Sequence, residues 1–186
     1  MLKKIIPVFI ALVMALMSVS LSACASSPAQ ADISERTTME IVEDMGLGIN
    51  LGNTFDSTGN WFHDVPGQET AWGSPIITKK MIKGYAGFGV MRLPVSWTVL
   101  MDEDGSINAE FIDRVEEVVN WILDSGMYCI LNSHHDGWSE KFYDDESAAM
   151  ELYEKMWKQI SERFKDYGEK LMFESMNEVG FDKMWN

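Results

Sequence analysis

Asn108-Ala-Glu-Phe-Ile-Asp-Arg-Val-Glu-Glu-Val-Val-Asn-Trp-Ile-Leu-Asp-Ser-Gly-Met-Tyr-Cys-Ile-Leu-Asn132 is the stretch on which the fold turns. Its first two thirds place Ile112, Val115, Val118, Val119, Ile122 and Leu123 on one helical face. Asn108 is a candidate cap whose side chain can accept from the first free N–H groups, and Gly126 is a candidate stop. The run after that glycine, Met127-Tyr-Cys-Ile-Leu131, is short and apolar throughout, as a strand covered on both faces must be, and it ends on the amide Asn132. A helix turned directly into such a strand is one element of a strand–helix alternation.

The alternation continues in both directions. Apolar runs recur at Gly46-Leu-Gly-Ile-Asn-Leu-Gly52, Val90-Met-Arg-Leu-Pro94 and Leu171-Met-Phe-Glu-Ser-Met176. A second amphipathic helix carries Met150, Tyr153, Trp157, Ile160, Phe164 and Tyr167 and ends at Gly168, and a weaker one spans roughly Thr78 to Gly87. Strand centres fall about 40 residues apart without internal identity, which indicates βα units and not a solenoid. Such units build a parallel sheet with right-handed crossovers, either an open doubly wound sheet or a (β/α)8 barrel. The glycines of residues 46–52 do not lead straight into a helix as a G-x-G-x-x-G turn does, and no G-x-x-x-x-G-K-[ST] occurs, so phosphate binding is unsupported.

Composition narrows the class. The 186 residues are 46% hydrophobic and 24% charged, which excludes a disordered polyelectrolyte. Lys+Arg 15 against Asp+Glu 29 gives a formal net charge of -14, so neither nucleic acid nor an anionic lipid surface is an expected partner. Lys3 and Lys4 ahead of an apolar run from Ile5 to Val19 form an export leader. Leu21-Ser-Ala-Cys24 resembles the lipobox of bacterial lipoproteins, which implies cleavage before Cys24 and lipidation of its thiol; a plain signal peptide and an uncleaved anchor are the alternatives. Residues 1–24 are therefore expected to be leader, 25–37 a tether of small and polar residues, and 38–186 the folded region, exported and held at a membrane only through the N-terminal lipid. Cys129 lies in an apolar strand with no adjacent base and reads as a small buried hydrophobe.

In a parallel sheet the carboxyl ends of the strands form the functional edge. Here each strand ends in polar groups: Asn53 after the first, Arg92 at the second, Asn132, His134, His135 and Asp136 at the third, Asn177 and Glu178 at the fourth. Of seven tryptophans, Trp121 and Trp157 fall on helices, whereas Trp61, Trp72, Trp97, Trp138 and Trp185 come after strands. Flat apolar rings among amides, acids and histidines suit a ligand with C–H faces and many hydroxyls, as a carbohydrate has.

Five motifs, in order, resemble glycoside hydrolase family 5, and most of all its bacterial endo-β-1,4-glucanases and xyloglucanases: Gly48-Ile-Asn-Leu-Gly-Asn-Thr-Phe-Asp56, Glu69-Thr-Ala-Trp-Gly73, Met91-Arg-Leu-Pro-Val-Ser-Trp97, Asn132-Ser-His-His-Asp136 and Phe173-Glu-Ser-Met-Asn-Glu178. The resemblance runs from about Thr38 onward, with Val179 where many members of the family have proline. It implies a (β/α)8 barrel and retaining hydrolysis of β-glycosidic bonds, with Glu178 as acid/base, Asn177 beside it, and Arg92 and His134 around the nucleophile and the bound sugar. Asn53, His135, Trp61, Trp72, Trp97 and Trp138 are the expected sugar-contacting residues, β-glucan the expected partner, and no cofactor is implied.

The chemistry agrees with these roles. Retention needs an acid to protonate the leaving oxygen and a carboxylate nucleophile about 5–5.5 Å away. Glu174 lies four residues before Glu178, about 13 Å along a strand, too far for that pair, and is expected to be paired with a residue such as Arg92. In the family the nucleophile comes after the seventh strand, and a complete barrel takes about 250 residues. The chain is therefore expected to be the first four βα units of such a barrel, inactive alone, and monomeric when complete. Two other readings stand: metal-dependent hydrolysis through His134, His135 and Asp136, which lacks any H-x-H or H-E-x-x-H spacing, and a surface lipoprotein that binds glucan without cutting it.

Overall fold

The computed structural model describes residues 35–178. The expected leader, Cys24, residues 25–34 of the expected tether and Trp185 lie outside them. The elements run α1 (Thr38–Met45), β1 (Gly48–Asn50), α2 (Val65–Thr70), α3 (Lys79–Gly84), β2 (Val90–Leu93), a 3-10 turn (Trp97–Leu100), α4 (Ala109–Asp124), β3 (Tyr128–Asn132), α5 (Gly137–Lys141), α6 (Glu146–Phe164) and β4 (Leu171–Glu174). The four strands form one parallel sheet in the order β1-β2-β3-β4. Sequential order removes the doubly wound alternative, in which the strand order reverses part-way. Right-handed crossovers between sequential parallel strands put every crossover helix on the same face. This is the architecture of a (β/α)8 barrel in its first four units.

Register sorts the residues by face. Asn50, Arg92 and Ile130 are neighbours across the sheet, as are Asn132 and Glu174, and the two-residue period of a strand puts all five on the inner face. The alternate residues Met91, Leu93, Cys129 and Leu131 are fully buried in the core formed with Val115, Val118, Val119 and Ile122 of α4 and Met156, Ile160 and Phe164 of α6. Burial also pushes the Cys129 thiol far up from its ordinary pKa, in line with an inert packing role.

Local signals account for the helix ends. Asn108 accepts from the backbone N–H groups of Glu110 and Phe111 at 3.0 and 3.2 Å, and Gly126, with φ 86°, turns the chain into β3. Asp145 caps α6 by accepting from Ala148 N at 3.0 Å. The helix expected at Thr78 to Gly87 is the shorter α3, capped by Thr78. Helices α1, α2 and α5 are additional to the sequence reading, although α1 carries a capping box in Thr37 and Glu40. Arg36 and Thr37, assigned to the tether, belong to the fold: Thr37 caps α1, and Arg36 bonds Asp44, Glu169 and the Tyr128 hydroxyl, the last at 2.8 Å. Just before β2, a Cβ on Gly89 would lie 1.8 Å from the Met45 carbonyl oxygen, so only glycine lets the end of α1 lie against the sheet there. Among the described residues no helix is long and apolar enough to cross a membrane.

Candidate active site

Arg92 occupies the middle of the inner face and binds three other segments. Its Nε and Nη2 donate to Glu174 Oε2 and Oε1 at 2.7 and 2.5 Å, Nη2 also donates to Asn177 Oδ1 at 2.9 Å, and Nη1 donates to Asn50 Oδ1 at 3.0 Å. The two parallel bonds to Glu174 are the fork geometry that an arginine, and not a lysine, provides. Arg92 accordingly holds the Glu174 carboxyl below its ordinary pKa, and Glu174 raises that of the guanidinium. Asn177 is thereby tied to β2, and Glu178 comes next in the chain, exposed and in the left-handed backbone region with φ 44°.

The loops after β1 and β3 meet beside this network. Asp56, almost wholly buried, accepts from Asn53 N at 3.1 Å and Thr54 N at 2.7 Å, which closes a turn in which Asn53 has φ 58°. Asparagine tolerates that conformation better than other residues bearing a Cβ. His134 Nε2 lies 4.0 Å from Asp56 Oδ2, and the His134 ring meets that of His135 edge to face at 4.5 Å. Burial first, then the neighbouring His135, lowers the pKa of His134, which keeps the ring neutral near pH 7. Gln68 donates from Nε2 to the carbonyls of Phe55, Ser57 and Ser96 at 2.8, 3.4 and 3.3 Å, binding the loops after β1 and β2 together.

Asp136 has a structural role. It accepts from Thr98 N at 2.7 Å and Ser133 Oγ at 2.6 Å, and burial raises its pKa. Among the described residues no group of three His, Cys, Asp or Glu side chains could hold a metal ion.

The expected aromatic platforms divide into two groups. Trp61 is 63% and Trp72 38% exposed. Trp72 donates to the Thr58 carbonyl at 3.2 Å and lies 6.0 Å from the His135 ring, on the wall of a cavity of about 510 Å³ lined also by Gly59, Thr98 and Glu140. A Cβ on Gly59 would meet the Trp61 ring at 2.4 Å, so this glycine lets the ring lie on the backbone. Trp97 and Trp138 are corrections to the sequence reading. Trp97 is completely buried against Phe111 with its N–H donated to the Asn132 carbonyl at 2.8 Å. Trp138 is 3% exposed and donates to Ser133 Oγ at 3.1 Å. Both rings fill space beneath the rim, where no sugar face can reach them.

Two members of the site have more to do than their sequence context discloses. Asp56 carries no role in the sequence reading, and Asn132 figures there only as a polar strand end. Nothing in residue type or spacing distinguishes a polar residue that organises its neighbours from one that touches ligand. The signal available is that each falls where an apolar strand ends, close to a backbone turn needing an acceptor.

The sequence profile of the family described as cellulase (glycosyl hydrolase family 5) matches residues 55–186. The chain belongs to glycosyl hydrolase family 5. Among its family 5 relatives, endoglucanase B of Clostridium cellulovorans is 41% identical over 169 residues, 87% of this chain and 37% of that protein. A xyloglucan-specific endo-beta-1,4-glucanase of Bacteroides ovatus is 37% identical over 164 residues, 84% of this chain and 32% of that protein. The fold superposes on a broad-specificity endoglucanase of Clostridium longisporum with TM-score 0.71 and 41% identity, covering 77% of this chain and 43% of that one. It also superposes on a Prevotella bryantii B14 family 5 enzyme in complex with a xyloglucan tetradecasaccharide, with TM-score 0.68 and 30% identity, covering 78% and 46%. The chain thus spans less than half the length of these family 5 relatives.

Proposed function

We propose that this chain carries the acid/base half of a retaining, endo-acting glycoside hydrolase that cleaves β-1,4-linked glucans, with Glu178 as the acid/base. The observation that carries the reading is the bond from Arg92 Nη2 to Asn177 Oδ1, which holds the Asn177-Glu178 pair over the carboxyl end of the sheet. The names of the relatives, endoglucanases and a xyloglucan-specific endo-beta-1,4-glucanase, support the substrate class.

In the proposed reaction Glu178, as the acid, protonates the glycosidic oxygen while a second carboxylate attacks the anomeric carbon and the C–O bond breaks. Glu178, now ionised, then takes a proton from water as that water displaces the carboxylate, restoring both groups and retaining configuration. Arg92 can hold the attacking carboxylate ionised because its own charge is permanent. That second carboxylate is proposed to come after the seventh strand of the barrel, beyond the four strands of this sheet. Trp72 and His135 are proposed to contact the sugar along the cavity beside Thr58 and Glu140, and the exposed Trp61 ring next to Gly59, together with Asn53, to contact it beyond that cavity. Export as a lipoprotein anchored through Cys24 is proposed from Lys3, Lys4, the apolar run and the small residues before the cysteine.

The test is release of reducing ends from barley β-glucan, xyloglucan and carboxymethylcellulose by the full-length protein, with the anomer of the first product read by proton NMR. The β-anomer is expected first, and Glu178→Gln is expected to abolish release while the protein still migrates slowly in a glucan affinity gel. Release unaffected by Glu178→Gln sinks the assignment; gel retardation without release from the wild type would favour a glucan-binding protein. Incorporation of labelled palmitate that disappears in Cys24→Ser tests the anchor.

A further inference from the structure

We infer that Asn132 is a positioning residue that fixes His134 with its proton on Nε2, so that the imidazole presents a donor on its Asp56 side. The inference rests on which groups around Asn132 can only donate. The Val95 backbone N–H approaches Asn132 Oδ1 at 3.0 Å, and a backbone N–H cannot accept. The amide is thereby oriented: oxygen toward Val95, nitrogen toward His134 and Glu174. Nδ2 lies 3.0 Å from His134 Nδ1 and 3.2 Å from Glu174 Oε1. An amide nitrogen has two hydrogens and no lone pair to give, so one hydrogen goes to each neighbour and His134 Nδ1 must accept.

A neutral imidazole whose Nδ1 accepts carries its hydrogen on Nε2. Reversing the amide would set Nδ2 against the Val95 N–H and Oδ1 against the Glu174 carboxylate, two clashes of like sign at a side chain with no solvent exposure. The main chain at His134 is held by its N–H donating to the Val95 carbonyl at 2.9 Å, and the His135 ring packs on the imidazole at 4.5 Å, which limits its rotation. Burial of the ring supports the neutral form. Asn132 therefore couples three things from one strand end: the loop after β2 through Val95, the Arg92–Glu174 pair, and the tautomer of His134. With a sugar bound, a reading that rests on the proposed function, Nε2–H is the donor available to a hydroxyl or to a carboxylate in the cleft.

The test is a long-range proton–nitrogen correlation spectrum of the full-length protein labelled at its histidines, with His134 assigned by its loss in His134→Gln. At neutral pH the Nδ1 of His134 is expected at the unprotonated position and Nε2 at the protonated one; a protonated Nδ1 in the wild type overturns the inference. Asn132→Asp replaces the donor by an acceptor and is expected to move the proton to Nδ1, with circular dichroism unchanged. A folded Asn132→Asp protein whose His134 pattern equals the wild type also overturns it, and if that variant does not fold the wild-type spectrum decides alone. Hydrolysis measured on the same samples is expected to fall by up to about 10²-fold in kcat in Asn132→Asp. A wild type with Nε2–H but no reducing-end release supports the tautomer and counts against the glycosidase reading only.

Discussion

Arg92 on β2 and Glu174 on β4, 82 residues apart in sequence, are joined by two parallel N–H···O bonds that pass over β3. The pair is about one quarter to one third exposed, and each charge holds the other in its ionised form. Because Arg92 also holds Asn50 and Asn177, it links β1, β2, β4 and the segment leading to Glu178 through a single side chain.

Glu174→Gln keeps the shape and removes the charge. At this partial exposure the expected loss of stability is about 1–2 kcal/mol, read from urea unfolding. The larger effect is expected on turnover, since Arg92 would lose its orientation toward Asn177. A variant that is destabilised but turns over substrate at the wild-type rate would contradict the positioning role.

Acid is expected to weaken the fold in two stages. The pKa of His134 is lowered by folding from 6.5, so below about that pH the unfolded chain binds the extra proton and stability falls as pH drops. The Glu174 pKa is likewise lowered from 4.5, so its contribution is present above that value and is lost as pH falls through the folded pKa. Thermal melting between pH 8 and pH 3 checks this; His134→Gln should flatten the first stage and Glu174→Gln the second.

The two kinds of tryptophan should respond oppositely. Trp97→Ala is expected to cost about 3–5 kcal/mol of stability, because the ring is fully buried and its N–H is bonded. Trp72→Ala should leave the melting temperature within a few degrees of wild type and weaken retardation in a β-glucan gel, because more than a third of that residue faces solvent on the cavity wall. Equal loss of gel retardation in both, at equal stability, would undo the distinction.

Glu69 and Arg114 tie α2 to α4. Glu69 is 1% exposed and accepts from Arg114 Nε at 2.7 Å and from the Ile77 backbone N at 2.9 Å, while Arg114 also donates to the Ile77 carbonyl at 2.6 Å. Arg114→Met strands a buried carboxylate and is expected to destabilise by about 3–5 kcal/mol, whereas Glu69→Gln paired with Arg114→Met should recover part of that loss. Urea unfolding of the two single variants and the pair measures the coupling.

The strands and the long helices are legible in the sequence because their signal is periodic: six apolar positions on one face of α4 and an unbroken run in β3 leave no other element to form. The polar rim is legible for a similar reason, since hydrophilic groups closing apolar runs have one place to go in a parallel sheet. The fate of individual rings is not. Trp72 and Trp97 both come after strands, and only the fold shows that one stands on the rim while the other turns beneath it to reach the Asn132 carbonyl. The short α1 is within reach of sequence, since Thr37 and Glu40 have the spacing of a capping box, and Asp64 ahead of Pro66 announces α2 in the same way.

Arg36 bonds to Glu169, 133 residues further along, as well as to Tyr128 and Asp44. On a ribosome the chain emerges from its amino end, so the residues just ahead of α1 are made long before their partner beside β4. At roughly 5–20 residues per second, Arg36 waits several seconds or more for Glu169 to be synthesised. During that interval α1 is held by its capping box, the Arg36–Asp44 ion pair, its contact at Gly89 and, once Tyr128 is made, the hydroxyl that bonds Arg36 and Asp44, and the link to Glu169 is the last of these to close.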